Sequence, residues 1–277
     1  MTITVRAALE QSGLVPIDAR ALLAHALGRD RAWLVAHSTD PLSRADADAF
    51  FALAKRRREG EPVAYLVGRR EFWGLVLDVS PAVLIPRPET ETLVEAALAR
   101  LPVDRPLRIL DLGTGSGAIA LAIAHERPNA SVLATDISDE ALAVARANAQ
   151  RLRIGNVEFV RADWYLGVAP GPFDAIVSNP PYVAANDAHL DQGDLRFEPR
   201  IALSPRLDAL AALASIVRGA RERLVGDGAL VVEHGHDQAE AVVRLFVAGG
   251  FVETQSLRDL AGIPRVVAGR AGAAASG

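Results

Sequence analysis

Two short stretches carry residue types at spacings that chemistry needs. The first is Asp111-Leu112-Gly113-Thr114-Gly115-Ser116-Gly117, with glycine at every second position. Glycines so placed let the chain turn sharply and approach a ligand with no side chain in between. Nineteen residues beyond Gly117 stands Asp136, whose carboxylate can accept hydrogen bonds from two ribose hydroxyls. The pair predicts a nucleoside-containing cofactor across the carboxyl ends of the strands. The alternative is a tight turn with no ligand. Further on, Asp163-Trp164 offers an indole beside which a base can stack and an acid that can accept from an adenine amino group; taken alone, Trp164 reads more simply as core at the sheet edge.

The second stretch is Asn179-Pro180-Pro181-Tyr182. Two prolines remove two backbone donors and hold the chain extended. The Asn179 side-chain oxygen and the backbone carbonyls remain, all acceptors. Such a row suits a planar NH2 group, with Tyr182 covering it from one side. A rigid loop starter after a strand is the plainer reading. Gly113, Gly115 and Ala118 satisfy the dinucleotide fingerprint in its Gly-or-Ala form. Gly-x-Gly-x-Gly after an acid is also the methyltransferase pattern, whose ligand, S-adenosylmethionine, has no pyrophosphate. On the glycines alone both stay open.

The surrounding sequence must position these groups. From residue 89 onward helix and strand alternate: strands are expected over 107–112, 131–136, 157–160, 173–178, 228–233, 251–257 and 265–268, and helices over 89–100, 118–126, 139–152, 209–224 and 238–248. Alternation of this length means an α/β domain with a mainly parallel, doubly wound sheet. The fourth strand of such a sheet lies beside the first, so the Asn179 stretch should face the glycine turn. The N-terminal third has helical spacing instead, with Leu9, Leu22, Leu34, Phe50 and Leu53 among its apolar positions. The texture changes at Glu61-Pro62, Glu71–Val79 reads as a hairpin, and Ile85-Pro86-Arg87-Pro88 is forced to be extended. The expected organisation is a helical domain over 1–70, a β-hairpin linker over 71–90, a sheet domain over 91–270 and a disordered tail over 271–277.

Composition sets the outer bounds. The chain has 277 residues, 34 acidic against 30 basic side chains, and an apolar fraction of 50%. It is too long for one small module and too apolar for disorder. The absence of cysteine excludes thiolate metal sites and thiol chemistry. Lys55 is the sole lysine, which excludes a phosphate-binding P-loop lysine and most Schiff-base schemes. A net charge of -4 argues against a whole-protein nucleic-acid clamp. No apolar run is long enough to span a membrane, and charged residues interrupt the N-terminus where a signal peptide would need a continuous apolar core. A cytoplasmic protein is expected, with no membrane partner and no direct nucleic-acid binding.

Weaker signals are read as structural. Lys55-Arg56-Arg57-Arg58 is a solvated run at a helix end. His234 and His236 beside Glu233 lack a third ligand, so no metal is expected. Arg87 and Glu89 either approach the cofactor or form ordinary salt bridges. The stretch 183–205 is long for a connection and reads as a substrate-gripping loop or a plain surface loop.

The two motifs together resemble the S-adenosylmethionine-dependent amino methyltransferases. More narrowly, the chain resembles the release-factor glutamine methyltransferases. The narrower resemblance also rests on the N-terminal helices, Glu61-Pro-Val-Ala-Tyr-Leu-Val-Gly68, Phe72-Trp73, Leu84-Ile-Pro-Arg-Pro-Glu-Thr90, Arg196-Phe-Glu-Pro199 and Asp259-Leu-Ala-Gly262. The resemblance implies a Rossmann-like class I methyltransferase sheet behind a small N-terminal helical bundle. It implies that Asp111, Gly113, Thr114, Gly115, Ser116, Gly117, Asp136, Asp163, Trp164 and Asn179 hold S-adenosylmethionine and its product S-adenosylhomocysteine. It implies that Asn179, Pro180, Pro181 and Tyr182 hold a glutamine side chain, with Asn179 and Pro180 acting in the transfer. The implied substrate is the Gly-Gly-Gln loop of class-I peptide chain release factors. Methylation of a ribosomal protein or of adenine in DNA is the alternative.

Overall fold

The computed structural model describes residues 3–169, 171–184, 187–204 and 208–272. The chain forms two compact units, the smaller made of residues 1–69 together with 191–197 and the larger of the remainder.

Five helices build the smaller unit: α1 (Val5–Gln11), α2 (Pro16–Leu27), α3 (Arg31–Ala36), α4 (Arg44–Arg58) and α5 (Val63–Val67). Thr4, Asp30 and Ser43 each accept a backbone N–H of the first turn of α1, α3 and α4, so side chains satisfy otherwise orphaned donors. Val5, Leu22, Leu23, Leu34, Phe50 and Leu66 meet in its core. Pro62, where the sequence texture changes, stands at the start of α5, a position proline tolerates because no helical donor is lost. The basic run is tied down locally: Arg56 pairs with Glu61, and Arg57 reaches both Asp18 and Asp194 at 2.7 Å.

The larger unit opens with the hairpin β1 (Arg69–Phe72) and β2 (Leu75–Asp78). The hairpin is more than a linker, because Phe72, Leu75 and Leu77 are buried in the main core of this unit. A 3-10 turn over Pro88–Thr90 leads into α6 (Glu91–Leu98), which is shorter than the expected 89–100. Then follow β3 (Leu107–Leu112), α7 (Ala118–Glu126), β4 (Ala130–Asp136), α8 (Asp139–Leu152), β5 (Val157–Arg161) and β6 (Phe173–Ser178). The chain closes with α9 (Arg200–Leu203), α10 (Ala209–Arg221), β7 (Leu224–Glu233), α11 (Ala239–Ala248), β8 (Phe251–Arg258) and β9 (Pro264–Ala271). The expected helix 209–224 stops at Arg221 because β7 already begins at Leu224, where it pairs with Phe173.

Seven strands form one sheet in the order β5-β4-β3-β6-β7-β9-β8, with β9 antiparallel to both neighbours. Alternate residues of each strand face opposite layers. Ile109, Val132, Val177 and Val231 pack with α6 and α7, while Leu110, Ile176, Leu230 and Val232 pack with α10 and α11. With both faces covered, the central strands read as continuous apolar runs, as buried parallel strands do. Strand order reverses between β3 and β6, so these two strands end at the topological switch point, where open α/β sheets bind ligands. The tail expected over 271–277 starts too early, since Ala271 is buried and pairs with Phe251 as the last residue of β9; residues 273–277 lie outside the described residues. Among the described residues no helix is long and apolar enough to cross a membrane.

Candidate active site

The pairing of β3 with β6 is what brings the two motifs together. Leu112 stands opposite Ser178 in the ladder, and the Ser178 hydroxyl donates to the Leu112 carbonyl at 2.8 Å. Gly113 and Asn179 are the next residues on adjacent parallel strands. A cavity of about 430 Å³ opens at this point. Gly113, Thr114, Gly115, Ser116, Asp136, Asp163, Trp164, Asn179 and Pro181 all line it.

The glycine turn is held from below. Gly113 and Thr114 donate their N–H groups to the Thr135 carbonyl, and Gly117 N–H returns to the Thr114 carbonyl. Gly113 has φ of 74°, where an L side chain is strained. Gly117 has φ of 85°, and a Cβ there would stand 3.1 Å from Leu121 Cδ1 and 3.2 Å from Ala145. It closes the turn against α7 and α8 and does not line the cavity. Gly115 N–H donates to Asp136 Oδ2 at 2.9 Å, and Ser138 N–H donates to Oδ1 at 3.0 Å. Four N–H groups of the turn are therefore taken by protein acceptors. A diphosphate would need such donors, so the geometry disfavours the dinucleotide reading. Each oxygen of Asp136 keeps acceptor capacity for a hydroxyl. Burial raises the pKa of this carboxyl.

Asp111, in contrast, is fully buried and does not line the cavity. Its Oδ2 accepts from the Thr114 hydroxyl at 2.7 Å, which ties the base of the turn to β3. Burial pushes its pKa up to about 7. Its place is beneath the site, supporting the turn. Asp163 is exposed at the rim, and Trp164, half-buried, lies near Gly113 and also packs against the core under α10.

The tetrapeptide is fixed from behind. Asn179 Nδ2 donates to the Thr90 hydroxyl at 3.2 Å, which leaves Oδ1 as the acceptor. Pro180 is buried, and neither Pro180 nor Tyr182 lines the cavity. The Tyr182 hydroxyl donates to Glu233 Oε1 at 3.1 Å, and Gln238 donates to the Tyr182 carbonyl at 3.2 Å. Tyr182 thus braces the motif by its hydroxyl and its backbone.

Several residues of the site were not legible as functional. Asn148 of α8 is fully buried. Its amide donates to the Ser116 and Asp78 carbonyls and accepts from Asp78 N–H, so it joins the glycine turn to β2. The signal for it was a polar residue in phase with Ala141, Leu142, Ala145 and Ala149 on the buried face. Glu198, also buried, accepts from Ile85 N–H at 2.9 Å and pairs with Arg87. Its carboxylate sets the extended segment that forms one wall, and Arg87 lines the cavity. Pro199, Ile201 and Ala202 place the end of the long 183–205 stretch at the cavity, while Asp191–Phe197 belongs to the smaller unit. Residues 185, 186 and 205 of that stretch lie outside the described residues.

Comparison with known proteins follows the same lines. The PrmC N-terminal domain model matches residues 3–68, and the methyltransferase small domain model matches 90–194. A release factor glutamine methyltransferase of Bordetella pertussis is 55% identical over 262 residues, covering 94% of this chain and 97% of that protein. One of Escherichia coli is 48% identical over 253 residues, covering 91% of each. The chain belongs to the release factor glutamine methyltransferase family. It shares its fold with a solved Pyrococcus furiosus methyltransferase at TM-score 0.55 and 18% identity, over 79% of this chain and 97% of that one. The Thermus thermophilus 16S rRNA methyltransferase, solved with S-adenosylmethionine and guanosine, also gives TM-score 0.55, at 20% identity over 73% of this chain and 49% of that one. Methyl transfer is the family's chemistry.

Proposed function

We propose that the protein methylates the side-chain amide nitrogen of a glutamine, N5, in the Gly-Gly-Gln loop of class-I peptide chain release factors. The observation that carries the reading is the shared cavity of Asn179, Pro181 and the glycine turn, in a chain about half identical to release factor glutamine methyltransferases over nearly its full length. A place of work in the cytoplasm belongs to the same proposal.

The cavity fits S-adenosylmethionine. Its turn offers few donors for a phosphate, its acid accepts ribose hydroxyls, and its wall carries an indole for a base. In this reading Gly113 to Ser116 line the methionine and ribose part, Gly117 closes the turn behind them, Asp136 holds the ribose and Trp164 lies by the adenine, with Asp163 at its rim. Asp111 serves through the turn. When bound, the cofactor supplies an electrophilic methyl on a sulfonium and leaves as S-adenosylhomocysteine.

An amide nitrogen is a weak nucleophile, because its lone pair is delocalised into the carbonyl. Asn179 Oδ1 and the Pro180 carbonyl accept the two amide protons and aim the nitrogen. This is catalysis by positioning and electrostatics. On receiving the methyl the nitrogen would gain positive charge, and these acceptors would hold it more tightly than in the ground state. The nitrogen would return to a neutral amide by losing one proton to solvent water. Tyr182 and Pro181 keep the row rigid, so little reorganisation is required at that moment.

The test is incubation with methyl-labelled S-adenosylmethionine and a release factor, a ribosomal protein or duplex DNA in separate reactions. Label is expected on the release-factor glutamine alone and is lost when that glutamine is replaced by glutamate. Label on the ribosomal protein or the DNA would overturn the assignment.

A further inference from the structure

Glu233, at the end of β7, is a carboxylate 1% exposed, yet the transfer just described does not use it. Its surroundings place it directly behind the acceptor row. Oε1 takes the Tyr182 hydroxyl at 3.1 Å, and the Thr90 hydroxyl lies close enough to act on the carboxylate as a donor. Oε2 has no hydrogen-bond partner of good geometry among the described residues. The same Thr90 oxygen accepts from Asn179 Nδ2 at 3.2 Å. Three side chains on three separate segments thus run in one line from a buried acid to the residue proposed to face the substrate.

The polarity of this line matters because an amide has two ends of nearly equal shape. A threonine hydroxyl has one proton to donate and lone pairs to accept. While Glu233 is ionised, Thr90 donates its O–H as a hydrogen bond to the carboxylate and presents only lone pairs to Asn179. The asparagine must then turn its NH2 toward Thr90 and its oxygen toward the cavity. When Glu233 is protonated, the acid can donate to Thr90, and the threonine proton becomes free to bond the asparagine oxygen. Asn179 can then rotate and present NH2, which repels the substrate NH2 it should receive. We propose that Glu233 is a positioning residue which, through Thr90 and Tyr182, sets which end of the Asn179 amide faces the substrate. The inference rests on the glutamine-amide reading above and adds how that site is kept in register.

The remaining charges around Glu233 are consistent with an acid near its tipping point. Burial is the largest influence and pushes its pKa up to about 7, Thr90, Tyr182 and Arg265 oppose this, and Glu89 adds to it. Arg265 is itself paired with Asp259, which weakens its pull. His234, the next residue, donates from Nδ1 to the Gly235 carbonyl at 2.7 Å, and burial lowers its pKa. Arg87 faces Tyr182 but is paired with Glu198. The transfer rate should therefore rise with pH as Glu233 ionises, with a midpoint near its pKa.

Glu233→Gln tests this on the full chain with an intact release factor, because glutamine keeps the shape but mimics the protonated acid. The expected result is a fall in kcat of roughly ten-fold or more at pH 8, unchanged cofactor affinity, and loss of the ascending limb near pH 7. Thr90→Val should lower kcat similarly, and Thr90→Ser, which restores the hydroxyl, should recover most of it. A Glu233→Gln enzyme with wild-type kcat, or one that keeps the limb, would overturn the inference; the limb would then belong to another group such as Asp111. Thr90→Ser as slow as Thr90→Val would also overturn it. Should the wild-type enzyme fail to label the glutamine at all, the functional reading itself would fail, an outcome distinct from these.

Discussion

Asp111 shows how much a single buried acid can reveal. It supports the glycine turn through Thr114, with its other oxygen unpartnered among the described residues. Burial raises its pKa to about 7, so the folded chain holds this proton more firmly than the unfolded chain does. The contribution to stability is then fully present below the ordinary aspartate pKa and is lost as pH rises from about 4 to about 7. Asp111→Asn removes the titration and keeps an acceptor for Thr114. Denaturant midpoints of the two proteins should draw apart with pH, the variant gaining between pH 5 and pH 8. A gap independent of pH would show that Asp111 is ionised in the folded chain as it is in the unfolded one. Residues of this kind were only partly legible. The acid before the glycines was visible, and its burial was not, because a motif gives spacing but not depth.

At the scale of elements, the site depends on clamps between segments far apart in the chain. Asn148 is the clearest: α8 holds β2 and the glycine turn through one amide. Its truncation to alanine leaves the Asp78 N–H and the Ser116 carbonyl without those partners. Unsatisfied buried polar groups cost roughly 1–3 kcal/mol each, so Asn148→Ala should destabilise the larger unit by about 2 kcal/mol or more. Equilibrium unfolding in urea measures this, and a loss below about 0.5 kcal/mol would mean that water replaces the clamp. The strands and helices themselves were readable, since buried parallel strands and amphipathic helices leave different periods. Ends were less so. Pro88–Thr90 forms a separate turn before α6, and β7 starts four residues before the expected Gly228, because pairing with β6 sets its extent. The hairpin looked like a linker, since its strands are only four residues each and its apolar partners lie on distant helices. Glu198 and Glu233 were visible in the sequence but their roles were not, for the same reason: a lone acid says nothing of the partners that bury it.

Across the whole molecule, the cavity is lined entirely by residues between Ala82 and Ser215 of the larger unit. Amide hydrogen exchange with and without S-adenosylmethionine should therefore gain protection around 111–118, 136–141, 162–164, 179–181 and 199–215, and not in α1–α5. Protection spread evenly over α1–α5 would contradict a cofactor site built by the larger unit alone. The switch point was foreseeable from strand order, and with it the meeting of the glycine turn and the Asn179 stretch. The glycines alone left dinucleotide and S-adenosylmethionine open; the family resemblance implied the second, and the hydrogen bonds of the turn disfavour a diphosphate. The proposed transfer depends on one contact, the Asn179 oxygen against a substrate amide. Asn179→Ala, assayed for methyl transfer to a release factor and separately for cofactor binding, addresses it most directly. Sites built to bond a specific NH group discriminate by about 10⁴–10⁵, so transfer should collapse on that scale while cofactor affinity stays within a few-fold. Transfer near the wild-type rate, or equal loss of transfer and cofactor binding, would contradict it.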